Sequence, residues 1–519
     1  MKDEQKPARK PEIPKQDWEQ TPWRVKQLVE SQEERLVQLE ARLGQLEQQL
    51  AELQVQNQLL REQSHRTSAN SSQPPSSDPP TAPKHQRREK SGKKRGGQPG
   101  HPGHSRSLYE VEECLSVTDY YPEQCRCCGA ELQGQDAKPY RHQVVELPPV
   151  APQVEEHRLH RLECAACGTT TCATLPPDIS PTGYGPRVVA VVGVLSGAYR
   201  HSERMVQIAL ADLFGVRLCL GSVNRLRQEA SAAVATPVTE AQEYVQQQPV
   251  VGADETGFTQ GNADRSNPKG RKAWLWVAVT PLVTFFQVCL SRSQAAAQTL
   301  LGEAFTGILT SDRHGGYNWI DLYRRQLCWA HLRRDFIKIS ERSGVSRCLG
   351  EALVKQQEQL FELWHRVRDG TLSRCDWIEA ANLIRTQVKA LLQEGADYQI
   401  AAKEQTALAK TVRTCRQLLQ VEPAMWLFVT VEGIEPTNNA AERAIRPAVL
   451  WRRTSFGSQS QAGSIFVARL LTVVMTLRSQ NQNVLEYMTA ACRAARAGQP
   501  GPSLLPQSNS AEHQVLPAA

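Results

Sequence analysis

The sequence predicts an α/β domain with a mixed sheet flanked by helices, interrupted by a long helical insertion and preceded by a coiled coil and a small cysteine-rich unit. Three observations carry this reading. The runs PVVGADETGF, KAWLWVAVT and LVTFFQVCLS follow one another between residues 249 and 291. They are rich in Val, Trp, Phe and Thr and are separated by Gly, Pro, Asn and basic residues, as adjacent strands are. Strands that come first as a meander and then alternate with helices indicate a mixed sheet. Leu36, Leu39, Leu43, Leu46, Leu50, Leu53, Asn57 and Leu60 alternate spacings of three and four, the a and d seam of a coiled coil.

Composition fits a multidomain globular protein with only local disorder. The chain has 519 residues, 40% hydrophobic and 22% charged, with 61 Lys plus Arg against 54 Asp plus Glu, a formal charge of +7. Such an excess matters only where it is concentrated. Fourteen cysteines behind a start without an apolar signal region, MKDEQKPARK, indicate thiols or metal ligands in a reducing cytosol, not a disulfide framework. No apolar run reaches the roughly 20 residues of a membrane span, the nearest being VVAVVGVLSGA. A cytoplasmic protein with no membrane partner is expected.

Residues 1–65 carry the coiled coil, read as one helix from about Trp23 to Ser64. Asn57 at an a position costs stability but favours a defined register and often a dimer, so a homodimer or higher assembly is expected. Residues 66–108 are a linker, since RTSANSSQPPSSDPPTAP is too rich in Ser and Pro to bury a core. Its second half sets a run of cations, Lys93, Lys94 and Arg95 among them, against the single Glu89. That is a flexible segment suited to phosphate contact through counterion release, or a solvated basic tail.

Residues 109–182 hold CRCCG and CAACG, two Cys-x-x-Cys-Gly turns 36 residues apart. Each presents two thiolates, so Cys125, Cys128, Cys164 and Cys167 are the expected ligands of one structural Zn2+ in a closed tetrahedral, ribbon-like site. Cys127 and Cys172 read as bystanders. Residues 183–246 read as helical, with MVQIALADLFGV and SVNRLRQEA forming either a helix-turn-helix or a plain helical connector. The sheet domain takes 247–333, including a helix over about 294–304, and resumes at 431–497. Between them, 334–430 is a helical insertion with Leu349, Leu353, Leu360, Trp364 and Val367 on one stripe. The Pro- and Ser-rich 498–519 is expected to be a disordered tail.

Asp254 follows an apolar run in the first strand, and Asp312 ends a later one, GILTSDRHGGY. Carboxylates at such positions are poor for stability unless partnered, and a divalent cation is the usual partner. Glu442 sits in PTNNAAERAIRP, a short helical run between prolines. Alone it has a structural explanation: Asn439 caps the helix and Glu442 reaches back in a capping box, or Glu442 pairs with Arg446 one turn on. A two-metal phosphoryl-transfer site, however, holds its ions about 4 Å apart and needs one shared carboxylate plus one more for each ion. Asp254, Asp312 and Glu442 supply that count.

The segments GADETGF, SDRHGGY, CWAHLRRDF and PTNNAAERAIRP closely resemble the insertion sequence 66 family of DDE transposases. The order of zipper, GGQPGHPGH linker, paired cysteine knuckles, catalytic domain and Glu-bearing helix extends the resemblance over nearly the whole chain. It implies a ribonuclease H-like fold with a helical insertion before the last acid. It also implies a catalytic triad of Asp254, Asp312 and Glu442 holding two Mg2+ or Mn2+ ions, with Asp254 shared between them. Glu255 competes with Asp254, but strand alternation puts the two on opposite faces and the family pattern favours Asp254. CWAH resembles a Cys-x-x-His signature of several DDE transposases. Cys328 and His331 are left unassigned as ligands, because two donors make no closed zinc site.

Arg333, Arg334, Arg443, Arg446, Arg452 and Arg453 flank these acids, as a polyanionic substrate requires. The implied function is a DNA transposase that cleaves at transposon ends and transfers the 3′-hydroxyl into target DNA. Its partners would be double-stranded DNA and accessory proteins of the same element, and its place the nucleoid. Two alternatives stand beside it: a zinc- and zipper-containing DNA-binding regulator without catalysis, and a ribonuclease H-like nuclease that cuts but cannot join.

Overall fold

The structure, a computed structural model, describes residues 14–64, 71–72, 106–176, 179 and 182–506. Lys93, Lys94, Arg95 and most of the expected linker lie outside the described residues. The chain divides into two compact units, Met1–Arg87 and Arg88–Ala519. In the first, α1 (Lys15–Gln20) precedes α2 (Trp23–Ser64), a single helix of 42 residues. Its seam leucines, Leu36, Leu39, Leu43, Leu46, Leu50 and Leu53, are each at least half exposed.

The second unit opens with the cysteine-rich segment. Its only regular strands are the short antiparallel pair β1 (Arg161–Glu163) and β2 (Thr170–Cys172), which embrace the second knuckle. Both knuckles have the same backbone. The Gly129 amide donates to the Cys125 carbonyl at 2.9 Å and the Gly168 amide to the Cys164 carbonyl at 2.8 Å, with φ of 74° and 71° that only glycine adopts freely. No residue between 106 and 176 is buried. A segment without a core needs another source of folding energy, and a structural metal is the usual one at this size.

Four helices follow: α3 (Pro186–Gly197), α4 (Glu203–Phe214), α5 (Leu220–Ala233) and α6 (Ala235–Gln246). Helices α4 and α5 are the expected pair, separated by Gly215 with φ 65°. Val223, Leu226 and Ala230 turn α5 onto the core.

The sheet has the order β5-β4-β3-β6-β7. Its strands are β3 (Val250–Phe258), β4 (Ala273–Val279), β5 (Thr284–Cys289), β6 (Ile308–Ser311) and β7 (Arg325–Leu327). β3, β4 and β5 form the expected antiparallel meander, while β6 runs parallel to β3 and β7 parallel to β6. Helix α7 (Gln294–Leu301) connects β5 to β6. The insertion is α8 (Trp329–Ser340), α9 (Val345–Arg368), α10 (Arg374–Asp397), α11 (Ala407–Gln420) and α12 (Leu427–Thr430). It has its own core, where Leu349, Leu353, Leu360 and Trp364 of the expected stripe meet Trp329, Trp377 and Phe428.

Two helices return to the sheet, α13 (Asn439–Ser455) and α14 (Gln461–Ser479), and α15 (Val484–Arg496) packs on α3 and α5. α14 is apolar and long enough to cross a membrane, whereas the helix that holds VVAVVGVLSGA is too short, yet 61% of the α14 apolar window is buried. Its role is visible in its hydroxyls. Thr472 and Thr476 accept the outward amides of Phe286 and Thr284 on edge strand β5, at 3.0 and 3.1 Å. The sheet edge is thereby covered rather than left to pair with another chain. The disorder expected from 498 does not hold through 506: Leu504 is fully buried, and Tyr487 donates to the Pro502 carbonyl at 2.6 Å; the rest of the expected tail lies outside the described residues.

Candidate active site

The predicted acids sit on three separate pieces of chain. Along β3, alternation sends Val251, Ala253 and Glu255 to one face and Gly252, Asp254 and Thr256 to the other. The second face lies under α13. A Cβ on Gly252 would stand 3.0 Å from Asn438 Oδ1, so the glycine permits this close approach of helix to strand. Thr256 accepts a hydrogen bond from Arg452 of α13 at 2.7 Å. Asp254 is thus held on the α13 side, in the middle strand of the sheet.

Asp312 leaves the C-terminal end of β6, where its Oδ1 accepts the His314 amide at 2.8 Å. The neighbouring parallel strand β7 ends beside it: the Cys328 amide donates to the Ser311 carbonyl at 2.9 Å. From Cys328 the chain enters α8, so His331 projects from its first turn. Glu442 projects from the first turn of α13.

The expected cap at that helix start does not form. Asn438, not Asn439, is the N-cap residue and makes no side-chain cap. Its Nδ2 instead donates to the Ala253 carbonyl at 2.7 Å, while its amide donates to Cys328 Sγ at 3.2 Å. Asn438 therefore ties the Glu442 helix to the residue before Asp254 and to the start of α8. The Glu442 carboxylate is left for other use. The helix also runs on through Pro447, not ending there as the sequence suggested.

Glu255 has a different occupation. Its side chain is fully shielded and accepts from Arg292 at 2.7 Å and from the Tyr317 hydroxyl at 2.7 Å. It is a satisfied structural ion pair on the opposite face, as the alternation predicted.

Electrostatics mark the other three acids as a cluster. The Asp254 carboxyl is pushed up to about 8, first by burial, then by the nearby charges of Glu255, Asp312 and Glu442. Glu442 is pushed up by burial, with Arg334 opposing and Asp312 adding to the shift. Its Oε1 lies 3.6 Å from His331 Nδ1. Distance alone suggests an ion pair, but burial, aided by Arg334, pushes His331 down to about 4, so the imidazole is neutral near pH 7. Both atoms are shielded from solvent and lack a hydrogen-bond partner.

Among the described residues, neither Asp254 nor Asp312 has a basic group within ion-pair distance. A buried carboxyl raised further by neighbouring acids, with no ion-pair partner of its own, fits a hard divalent ion such as Mg2+ or Mn2+.

The basic candidates divide. Arg333 is taken up by α9, donating to Gln357 at 2.6 Å and to Glu358 at 3.1 Å. Arg334 acts on the field at Glu442 and His331. Arg443, Arg446 and Arg453 are exposed. Arg452 lines a pocket of about 490 Å³ with Arg271 and Lys272, ten residues or roughly 15 Å along α13 from Glu442. Arg271 and Lys272 were not foreseen, because their loop, GNADRSNPKGRKAW, reads as an ordinary polar connection. Asn267 makes it rigid, donating to the Gln260 and Arg271 carbonyls at 2.9 Å each.

The four knuckle cysteines come together in pairs, Cys125 with Cys128 and Cys164 with Cys167. The structure does not bring the two pairs to one point. Hydrogen bonds hold two of the thiols low, Cys125 chiefly through the Cys128 amide and Cys167 through Thr169. The one convergence of three metal-ligating side chains among the described residues is Cys328, His331 and Glu442.

Comparison with known proteins agrees with this layout. Residues 122–168, which contain both knuckles, match the zinc-finger binding domain of transposase IS66, and 10–107 match a family of unknown function. An uncharacterized protein of Sinorhizobium fredii, y4qI, is 27% identical over 273 residues, 48% of each chain. Another from the same strain, y4hP, is 24% identical over 387 residues, 69% of this chain and 68% of that one. The chain thus spans about half the length of the first relative. Residues 184–465, more than half of the chain and all three acids, match the Transposase IS66 family, and the chain belongs to that family.

Proposed function

We propose that this protein is a DDE transposase that cleaves DNA at transposon ends and joins the freed 3′-hydroxyl to target DNA, on a catalytic domain of ribonuclease H-like fold. The observation that carries the reading is the buried Asp254 carboxyl on the central strand, which feels the charges of Asp312 at the adjacent strand end and of Glu442 on the helix laid over the sheet. Family membership and the strand order support it.

Asp254, Asp312 and Glu442 would hold the divalent ions. Bound there, such ions make water or a sugar hydroxyl nucleophilic and stabilise the leaving oxygen. The protein's own residues prepare that chemistry. Asn438 fixes the spacing between the β3 and α13 carboxylates. The ladder contact between Cys328 and Ser311 fixes the entry of α8 beside Asp312. Arg271, Lys272 and Arg452, which line one pocket, would supply cations for the DNA backbone beyond the reacting phosphate. The protein would work in the cytoplasm on the nucleoid, with accessory proteins of the same element as further partners.

The test is divalent-dependent joining of a pre-cleaved end to a target plasmid. A transposase joins, a nuclease cuts without joining, and a DNA-binding regulator only binds.

The knuckles would be held by one zinc on Cys125, Cys128, Cys164 and Cys167. Cys128→Ser is expected to lower the zinc content of the chain by about one ion and to open 109–182 to proteolysis. Unchanged zinc content would contradict the ligand set. The exposed stripe of α2 would pair two chains and so bring two transposon ends together. Replacing Leu46 and Leu53 by proline is expected to leave a monomer in sedimentation with weakened paired-end binding. An unchanged mass would contradict the zipper.

A further inference from the structure

Cys328 and His331 remain unused by the reading above, yet their placement is specific. Cys328 is the N-cap of α8 and His331 lies three residues on, a spacing that puts both side chains on one side of the helix start. Glu442 faces them from the first turn of α13. One donor atom from each of the three, Sγ, imidazole nitrogen and carboxylate oxygen, lies within 4.8 Å of the other two.

Two of these donors are in an unusual condition. Both His331 Nδ1 and Glu442 Oε1 are cut off from solvent and have no hydrogen-bond partner. Leaving such groups unpaired costs about 1–3 kcal/mol each. The third donor, Cys328 Sγ, is buried and accepts the Asn438 amide at 3.2 Å. A core histidine would have its ring nitrogen satisfied, and this one does not.

We propose that Cys328, His331 and Glu442 form a binding site for a borderline transition-metal ion of the zinc class, whose occupation withdraws Glu442 from Asp254 and Asp312 and so shuts off the magnesium site. The inference rests on the reading of Glu442 as the third acid. Thiolate and imidazole suit Zn2+ or Co2+, whereas Mg2+ takes oxygen donors, so the same glutamate serves two sets of different hardness. Tetrahedral zinc with bonds of about 2.0–2.3 Å needs donors about 3.5 Å apart, so the cluster closes by little more than about 1 Å. On ligation the Cys328 thiol gives its proton to solvent, and a fourth position stays open to water.

The experiment uses the full-length chain, metal-stripped under reducing conditions and titrated with zinc or cobalt alone. Wild type is expected to bind one more ion than either His331→Ala or Cys328→Ser, with circular dichroism showing both variants folded. The thiolate-to-cobalt absorption should fall correspondingly in Cys328→Ser. Asp254→Asn is expected to keep that ion, because Asp254 belongs only to the magnesium set. Zinc loading should weaken Mn2+ binding to wild type at least about tenfold and leave that of His331→Ala unchanged. Equal zinc counts in wild type and His331→Ala, or loss of the ion in Asp254→Asn, would overturn the site. Undiminished Mn2+ binding by zinc-loaded wild type would overturn the shut-off. If wild type takes up the extra zinc but never binds Mn2+, the fault lies with the magnesium reading, and the shut-off falls with it.

Discussion

Asp254→Asn is expected to abolish DNA cleavage and joining, by about a thousandfold or more, while making the metal-free protein more stable. The two effects share one cause. Asp254 is buried, with the charges of Glu255, Asp312 and Glu442 adding to the effect, and its carboxyl is pushed up to about 8. A group raised in this way favours the fold while protonated. Its contribution is complete below the ordinary carboxylate range, near pH 4, and is lost as pH rises through about 8.

Metal-free wild type should therefore lose thermal stability across that window, and addition of Mg2+ should restore it. Asparagine has no proton to lose and no charge to bury. At pH 8 without metal, Asp254→Asn is expected to melt several degrees above wild type, at about 2–4 °C per kcal/mol for a domain of this size. It should gain little from Mg2+. Equal melting curves with and without Mg2+ for both proteins would contradict the metal assignment even before activity is measured.

Much of this arrangement was legible in the sequence because it follows short-range rules. Alternation along GADETGF alone separates Asp254 from Glu255, and the structure gives Glu255 a complete set of partners on the other face. The helix expected from about Trp23 to Ser64 is α2. The stripe through Leu349 and Trp364 is the core of the insertion.

What escaped the sequence reading depends on contacts distant in the chain. β7 has only three residues, two of them Arg325 and Gln326, whose charge and polarity hide a strand. Both are buried, because Arg325 reaches the Asp312 carbonyl and Asn318, and Gln326 the Met425 carbonyl. Asn438 and Asn439 look alike in PTNNAAER, and only the position of the Ala253 carbonyl decides which one anchors the helix. Arg271 and Lys272 join Arg452 only because the loop that holds them is bound to the chain after α13, the Gly261 amide donating to the Ser458 carbonyl at 2.8 Å. His331 beside Glu442 is the largest such case. The Cys-x-x-His spacing was visible, but its third donor lies more than 100 residues away in the chain.

The central claim is that Glu442 serves a metal site with Asp254 and Asp312 rather than the helix that carries it. Glu442→Gln keeps size and helix propensity and removes the charge a divalent ion requires. Because Glu442 makes no capping contact, the variant should fold and bind transposon-end DNA as wild type does. Asn438→Ala, which cuts the tie to Ala253 without touching a carboxylate, should instead cost about 1–3 kcal/mol of stability. The most direct measurement is the rate at which Glu442→Gln joins a pre-cleaved transposon end to target DNA in Mg2+. A fall of about a thousandfold, with folding and DNA binding intact, is the expected result; joining at a near wild-type rate would return this glutamate to a structural role.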